Sequence, residues 1–194
     1  GPPRLVYYAW MLVLLDPSRR TVIGHRGNRA HAPEDTLVSF AQAAALGVDA
    51  LEMDLHLSRD GVPVVIHDPT LDRTTDGTGA VADRSVKELA RVDAGARFST
   101  DGGRTRPYRG MGIGVPTLEE VLATHPAIPL ILEIKAPEAA GPVLALLQRM
   151  NATDRVLMGS FHDGALQVFS DAGIPVAGAT RALTKLYLPA LFGA

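Results

Sequence analysis

Residues 21–68 read TVIGHRGNRAHAPEDTLVSFAQAAALGVDALEMDLHLSRDGVPVVIHD. Three short apolar runs stop on histidines or carboxylates, and a helix-like segment separates the first two. Val22-Ile23-Gly24 ends at His25-Arg26-Gly27. The stretch from Thr36 to Gly47 predicts a connecting helix, with Asp35 or Thr36 as its cap and Gly47 as a left-handed stop. From Val48 to Leu57 the pattern alternates, placing Leu51, Met53, Leu55 and Leu57 on one face and Glu52, Asp54 and His56 on the other. Arg59-Asp60-Gly61 predicts a turn, and Val62 to Ile66 a third strand ending on His67-Asp68. Charged residues that gather where apolar runs stop predict a site at the carboxyl ends of adjacent parallel strands.

The rhythm continues outward from this stretch. Residues 69–115 are rich in Gly, Arg, Thr and Asp, with one short helix signal at the Ser85 to Glu88 capping box, and are expected to be an inserted subdomain after the third strand. Thr117-Leu118-Glu119-Glu120 opens a second capping box, and Pro129 to Lys135 predicts a strand bearing Glu133 and Lys135 on one face. Helix and strand signals then alternate to a sixth strand at about 174–179 and a helix over about 181–191. Strands alternating with helical segments predict parallel βα units, here as one domain over 1–194. An eight-stranded TIM (β/α)8-type barrel usually needs about 250 residues. The expectation is therefore an α/β barrel of this type, incomplete by about two βα units.

Composition narrows the partners. With 19 Lys and Arg against 21 Asp and Glu, the net charge is −2, and no basic stripe points to nucleic acid. Because there is no cysteine, disulfides, thiolate zinc sites and a cysteine nucleophile are all excluded. The apolar run 5–15 is eleven residues, short of the roughly 20 that span a bilayer. It reads as a core or barrel-floor helix, or alternatively as the remnant of an export signal or membrane anchor. A cytoplasmic location is the expectation, with an exported or membrane-associated protein as the alternative.

Glu52 and Asp54 leave the same face of a strand, as do Glu133 and Lys135. If the intervening apolar residues pack outward on helices, the three carboxylates point inward, where unpaired charge is costly. Converging carboxylates suit a hard divalent cation, Mg²⁺, Ca²⁺ or Mn²⁺, and their mutual repulsion raises at least one carboxyl pKa without it. The competing reading is a half-exposed strand whose polar face meets water. His25 and His67 follow apolar runs at equivalent strand ends and can exchange protons near neutral pH. Arg26 and Lys135 are the candidate cationic clamp for a phosphoryl group. Glu34 reads as a partner of an ion-bound water or as part of the helix cap, and Asp68 as an orienting partner of His67 or a turn residue. His31, His56, His125 and His162 are expected in loops or on the surface.

At these positions the chain resembles the glycerophosphodiester phosphodiesterases. The resemblance rests on His25-Arg26-Gly27, Pro33-Glu34-Asp35-Thr36, Glu52-Met53-Asp54, Asp60-Gly61 with Val64 to Asp68, Arg73-Thr74-Thr75, Pro116 to Val121 and Glu133-Ile134-Lys135, in that order. It implies a TIM barrel with an insertion after the third strand and a divalent cation held by Glu52, Asp54 and Glu133. It also implies His25 and His67 as the acid/base pair, acting on small glycerophosphodiesters to give glycerol 3-phosphate and an alcohol. Asp35 stands where the family usually has Asn; the change keeps a helix cap and adds a negative charge, so a mild effect is expected. Two alternatives accompany this reading. One is a lysophospholipase D or sphingomyelinase D-like phosphodiesterase, and the other is a non-catalytic truncated fragment.

Overall fold

A computed structural model describes residue 16 and residues 18–177. The apolar run 5–15, the helix expected over 181–191 and the last two positions of the sixth strand signal lie outside the described residues. In chain order the elements are β1 (Ile23–His25), α1 (Leu37–Ala45), β2 (Ala50–Leu57), β3 (Pro63–Val65), α2 (Val86–Leu89), α3 (Leu118–Thr124), β4 (Leu130–Ile134), α4 (Ala140–Arg149), β5 (Val156–Ser160), α5 (Asp163–Asp171) and β6 (Val176–Ala177). Five strands run parallel in the order β1-β2-β4-β5-β6, with helices between successive strands as the βα rhythm requires. Among the described residues the sheet is open, with β1 and β6 at its edges.

The third strand departs from the expectation. β3 pairs antiparallel with the end of β2, Leu55 opposite Val65 and Leu57 opposite Pro63, so it is the return arm of a hairpin. Its turn is tight: Ser58 N–H donates to Val62 O and Gly61 N–H to Ser58 O, both at 3.0 Å, with Gly61 at φ 76°. A parallel neighbour needs a crossover of a dozen or more residues, and this turn has no room for one. β2 thus carries two partnerships, the parallel sheet along its first half and the hairpin along its second.

One face of the sheet is dry. Leu51, Met53 and Leu55 of β2, Leu130, Leu132 and Ile134 of β4, and Val156 and Met158 of β5 are fully buried against α1, α3, α4 and α5. Each such side chain stabilises by about 1.5–3 kcal/mol relative to exposure, which fixes strand register: a one-residue slip would turn this whole set to the opposite face. Residues 69–115 hold a second, smaller apolar cluster, where Leu71, Val81, Leu89 and Val115 pack on Val64 and Ile66 of the β3 region. Both capping boxes form, Ser85 with Glu88 and Thr117 with Glu120. At α1 the cap is Thr36, whose hydroxyl accepts from Ser39 N–H, and not Asp35.

The loop after β1 is pinned to α1 at Gly27. Its φ is 76°, and a Cβ there would meet Ser39 Oγ, Ser39 C at 2.6 Å and Phe40 N at 2.8 Å. Gly27→Ala is therefore expected to destabilise by about 1–3 kcal/mol, as overpacking against backbone does. A fall in Tm of several degrees checks this; an unchanged Tm would show that the loop and helix separate freely.

Candidate active site

Strand register assembles the acidic residues. In the parallel ladder His25 of β1 lies beside Glu52 of β2, and Asp54 of β2 lies beside Glu133 of β4. All four therefore stand on the sheet face opposite the dry core. The next strand offers Gly159 beside Glu133, so no side chain from β5 fills the space there. One carboxylate oxygen from each of Glu52, Asp54 and Glu133 lies within 4.8 Å of the others. His25 Nε2 is 3.7 Å from Glu52 Oε2 on a side chain 51% exposed. His67 comes from the other direction, carried past β2 by the hairpin, where Ile66 N–H donates to Asp54 O at 3.0 Å.

Cations interleave with these acids. Lys135 Nζ is 2.5 Å from Glu133 Oε1 and 3.1 Å from Asp54 Oδ1. Arg26 donates to Glu34 Oε1 at 2.9 Å, and its Nε stands 3.0 Å from Asp54 Oδ2, an ion pair whose angle does not complete a hydrogen bond. Arg73 closes the chain, donating to both oxygens of Glu34 and both oxygens of Asp68 at 2.6–3.0 Å. Asp68 Oδ1 in turn accepts from His67 Nδ1 at 2.6 Å. The carboxylate fixes the tautomer: Nδ1 carries the proton and Nε2 is presented for chemistry. Glu34 and Asp68 thus share one guanidinium, and Glu34 is neither a helix cap nor in contact with the acidic triad's oxygens.

The electrostatics follow from burial and spacing. Burial, with the neighbouring charges of Asp54 and Glu133, pushes the Glu52 carboxyl up to about 7. For Lys135, burial works against the charge, and the bond to Glu133 and the charge of Asp54 outweigh it, raising its pKa. The Arg73 bond holds Asp68 well below the usual carboxylate range. Burial and the charges of Arg29 and Arg26 lower His25 and favour its neutral ring. A carboxyl raised to about 7 inside an all-oxygen donor set is one that a hard divalent cation would ionise, so the three acids fit such an ion even with Lys135 and Arg26 at hand.

The sequence model of the glycerophosphoryl diester phosphodiesterase family matches residues 25–170, well over half of the chain. The chain belongs to this family. A glycerophosphodiester phosphodiesterase of Caldanaerobacter subterraneus subsp. tengcongensis is 35% identical over 153 residues, covering 75% of this chain and 60% of the relative. Among solved structures, the glycerophosphoryl diester phosphodiesterase domain of an uncharacterized Mycobacterium tuberculosis protein superposes with a TM-score of 0.80 at 28% identity, over 90% of this chain and 66% of that one. A phosphodiesterase of Oleispira antarctica, solved in complex with the product sn-glycerol-3-phosphate, superposes with a TM-score of 0.69 at 30% identity, over 87% and 71%. The chain spans about 60% of the length of the first of these relatives.

Three features of this family member were not assigned from sequence. Arg73 was visible as part of Arg73-Thr74-Thr75, but its partner Glu34 is 39 positions away. His56, expected at the surface, is buried, and its Nε2 meets His67 O at 3.0 Å, holding the peptide of the second histidine. Asp35 is only 3% exposed, sits at φ 56°, and neither of its oxygens has a hydrogen-bond partner. Its substitution is therefore not the mild cap exchange expected. His31 and His162 are exposed, as expected, and His125 is half-buried. Among the described residues no helix is long and apolar enough to cross a membrane.

Proposed function

We propose that the chain is the catalytic portion of a glycerophosphodiester phosphodiesterase, hydrolysing glycerophosphodiesters to glycerol 3-phosphate and an alcohol. The observation that carries this reading is the gathering of Glu52, Asp54 and Glu133 within 4.8 Å, with His25 beside them. Glu52, Asp54 and Glu133 would hold a divalent cation, Mg²⁺, Ca²⁺ or Mn²⁺. Such an ion polarises phosphoryl oxygens and offsets the charge that develops on them.

The remaining work falls to side chains. Arg26 and Lys135 orient the phosphoryl oxygens, Lys135 having one N–H direction beyond its two carboxylates. His25 and His67 move protons on opposite sides of the displacement, one taking a proton from water or from the substrate's own 2-hydroxyl, the other giving one to the leaving alkoxide. Asp68 keeps His67 Nε2 facing the reaction, and Glu34 holds Arg26 and Arg73 in place. Residues 69–115 act as an inserted subdomain whose Arg73 braces both histidine loops.

The test is glycerol 3-phosphate release from glycerophosphocholine by this chain, with EDTA or millimolar Mg²⁺ or Ca²⁺, beside a C-terminally extended chain. Ion-dependent release supports the reading. No release by either protein, with no ion-induced rise in Tm, would rule it out. Release from the extended chain alone would assign the present residues to a truncated fragment.

A further inference from the structure

Beside the braced histidine loops lies an open cleft of about 220 Å³ between the loop after β1 and the 69–115 segment, lined by Arg29, Glu34, Arg73, Arg97, Phe98 and Ser99 among others. Three guanidiniums face a single carboxylate. That carboxylate, Glu34, is already bonded by Arg26 and Arg73. Arg73 spends its donors on Glu34 and Asp68. Among the described residues Arg97 donates only to a backbone oxygen, Thr75 O at 2.8 Å, and Arg29 has neither a hydrogen bond nor a carboxylate within ion-pair distance. Two cations without anionic partners thus stand in one concave site of a chain whose net charge is −2.

The cleft adjoins the reacting centre. Glu34 lines it and bonds Arg26, and the charge of Arg29 reaches the ring of His25. A diester has two arms, and Glu34 and Arg73 link the histidine loops to this cleft. We infer that this cleft receives the alcohol arm of a glycerophosphodiester when that alcohol bears its own anionic oxyacid group, a phosphate or a carboxylate, paired with Arg29 and Arg97. The inference rests on the reading of the site given above and narrows it to a substrate class. Guanidinium suits both oxyacids through paired N–H donors. Phe98, its ring held edge-on by Tyr108 with centroids 5.3 Å apart, supplies a fixed apolar wall for the carbon chain between the two charges. In the reaction itself water adds to phosphorus, the ester P–O bond breaks, and the anionic alcohol leaves with one proton.

Two matched substrate pairs test this. Bis(glycerophospho)glycerol and glycerophosphoglycerol differ by a phosphodiester, and glycerophosphoserine and glycerophosphoethanolamine by a carboxylate, so the pairs separate the two anion sources. The anionic member is expected to show a kcat/KM about tenfold higher at low salt, the size of one charge-assisted contact. Only about twofold of the first ratio can come from its two equivalent diesters. The preference should fall several-fold in 1 M NaCl, where the Debye length drops to about 3 Å. Arg29→Met should lower the ratio by a similar factor; because Arg29 also acts on His25, the ratio and not the absolute rate is the readout. Arg97→Met should do likewise. A preference in either pair that these variants remove supports the inference. No preference in either pair, or one that survives both variants, overturns it. If no member of either pair is cleaved, the phosphodiesterase reading fails by itself. The cleft is then decided in EDTA by the rise in Tm with inorganic phosphate at matched ionic strength, which should be smaller for the double variant, and an equal rise would discard the site.

Discussion

Replacement of His67 by Ala is expected to lower glycerol 3-phosphate release by about 10²–10⁴-fold, the range over which a positioned proton-transfer group contributes. The loss should fall on kcat, because Arg26 and Lys135, the proposed phosphoryl clamp, are untouched. Ion-induced stabilisation should survive, since His67 contributes no oxygen to the Glu52, Asp54 and Glu133 cluster. Glu52→Ala gives the reverse order of effects: the ion-induced rise in Tm goes first, and turnover follows. Asp68→Asn lies between the two. It keeps the shape of the 2.6 Å contact to Nδ1 but surrenders the charge and the Arg73 Nε bond to the second oxygen, so activity falls while His67 remains in place. Near-parental turnover in His67→Ala would take the proton-transfer role away from this residue. Loss of ion binding in the same variant would instead place the imidazole in the donor set.

Much of this site was legible because strand geometry is periodic. A side-chain period of two places Glu52 and Asp54 together, and Leu-Glu-Ile-Lys does the same for Glu133 and Lys135. Parallel register then converts two sequence pairs into one cluster, with Asp54 directly beside Glu133. The antiparallel β3 was missed for a physical reason. A short Gly-containing turn between two β-rich runs is a hairpin signal, and Ser58 to Val62 satisfies it. The βα rhythm on either side suggested a parallel strand, which so short a turn cannot supply. That difference matters to the chemistry, since only a hairpin brings His67 back alongside Asp54 with the 69–115 segment attached behind it. The brace Arg26–Glu34–Arg73–Asp68–His67 was illegible for another reason. Its partners are 8, 39 and 5 positions apart at the Arg26–Glu34, Arg73–Glu34 and Arg73–Asp68 links, and no local period connects them.

Asp35→Asn is expected to stabilise the ion-free protein, by about 1–3 kcal/mol at pH 8, the usual cost of a buried polar group left without partners. For a chain of this length that is a rise in Tm of roughly 2–10 °C. Asp35 is 3% exposed with neither oxygen bonded. Burial, followed by the charges of Asp54, Glu52 and Glu34, pushes its carboxyl well above the usual range, against one favourable neighbour, Arg26. Asn keeps the volume, tolerates the left-handed φ of 56° and can donate to the surrounding acids. The pH dependence has a definite sign. A carboxyl raised in the folded state contributes its full stability below the unfolded value of 3.8, and that contribution is lost as pH rises through the folded value. The gain from Asp35→Asn should therefore be near zero at pH 4 and grow toward pH 8. Glu52 adds the same sign over a narrower window, from 4.5 up to about 7. Millimolar Mg²⁺ or Ca²⁺ should shrink both effects, because a cation among Glu52, Asp54 and Glu133 offsets the charges that press on Asp35. A Tm for Asp35→Asn below the parental value at pH 8 in EDTA would show that the carboxylate is held ionised by Arg26, and that the acid cluster carries less uncompensated charge than its geometry implies.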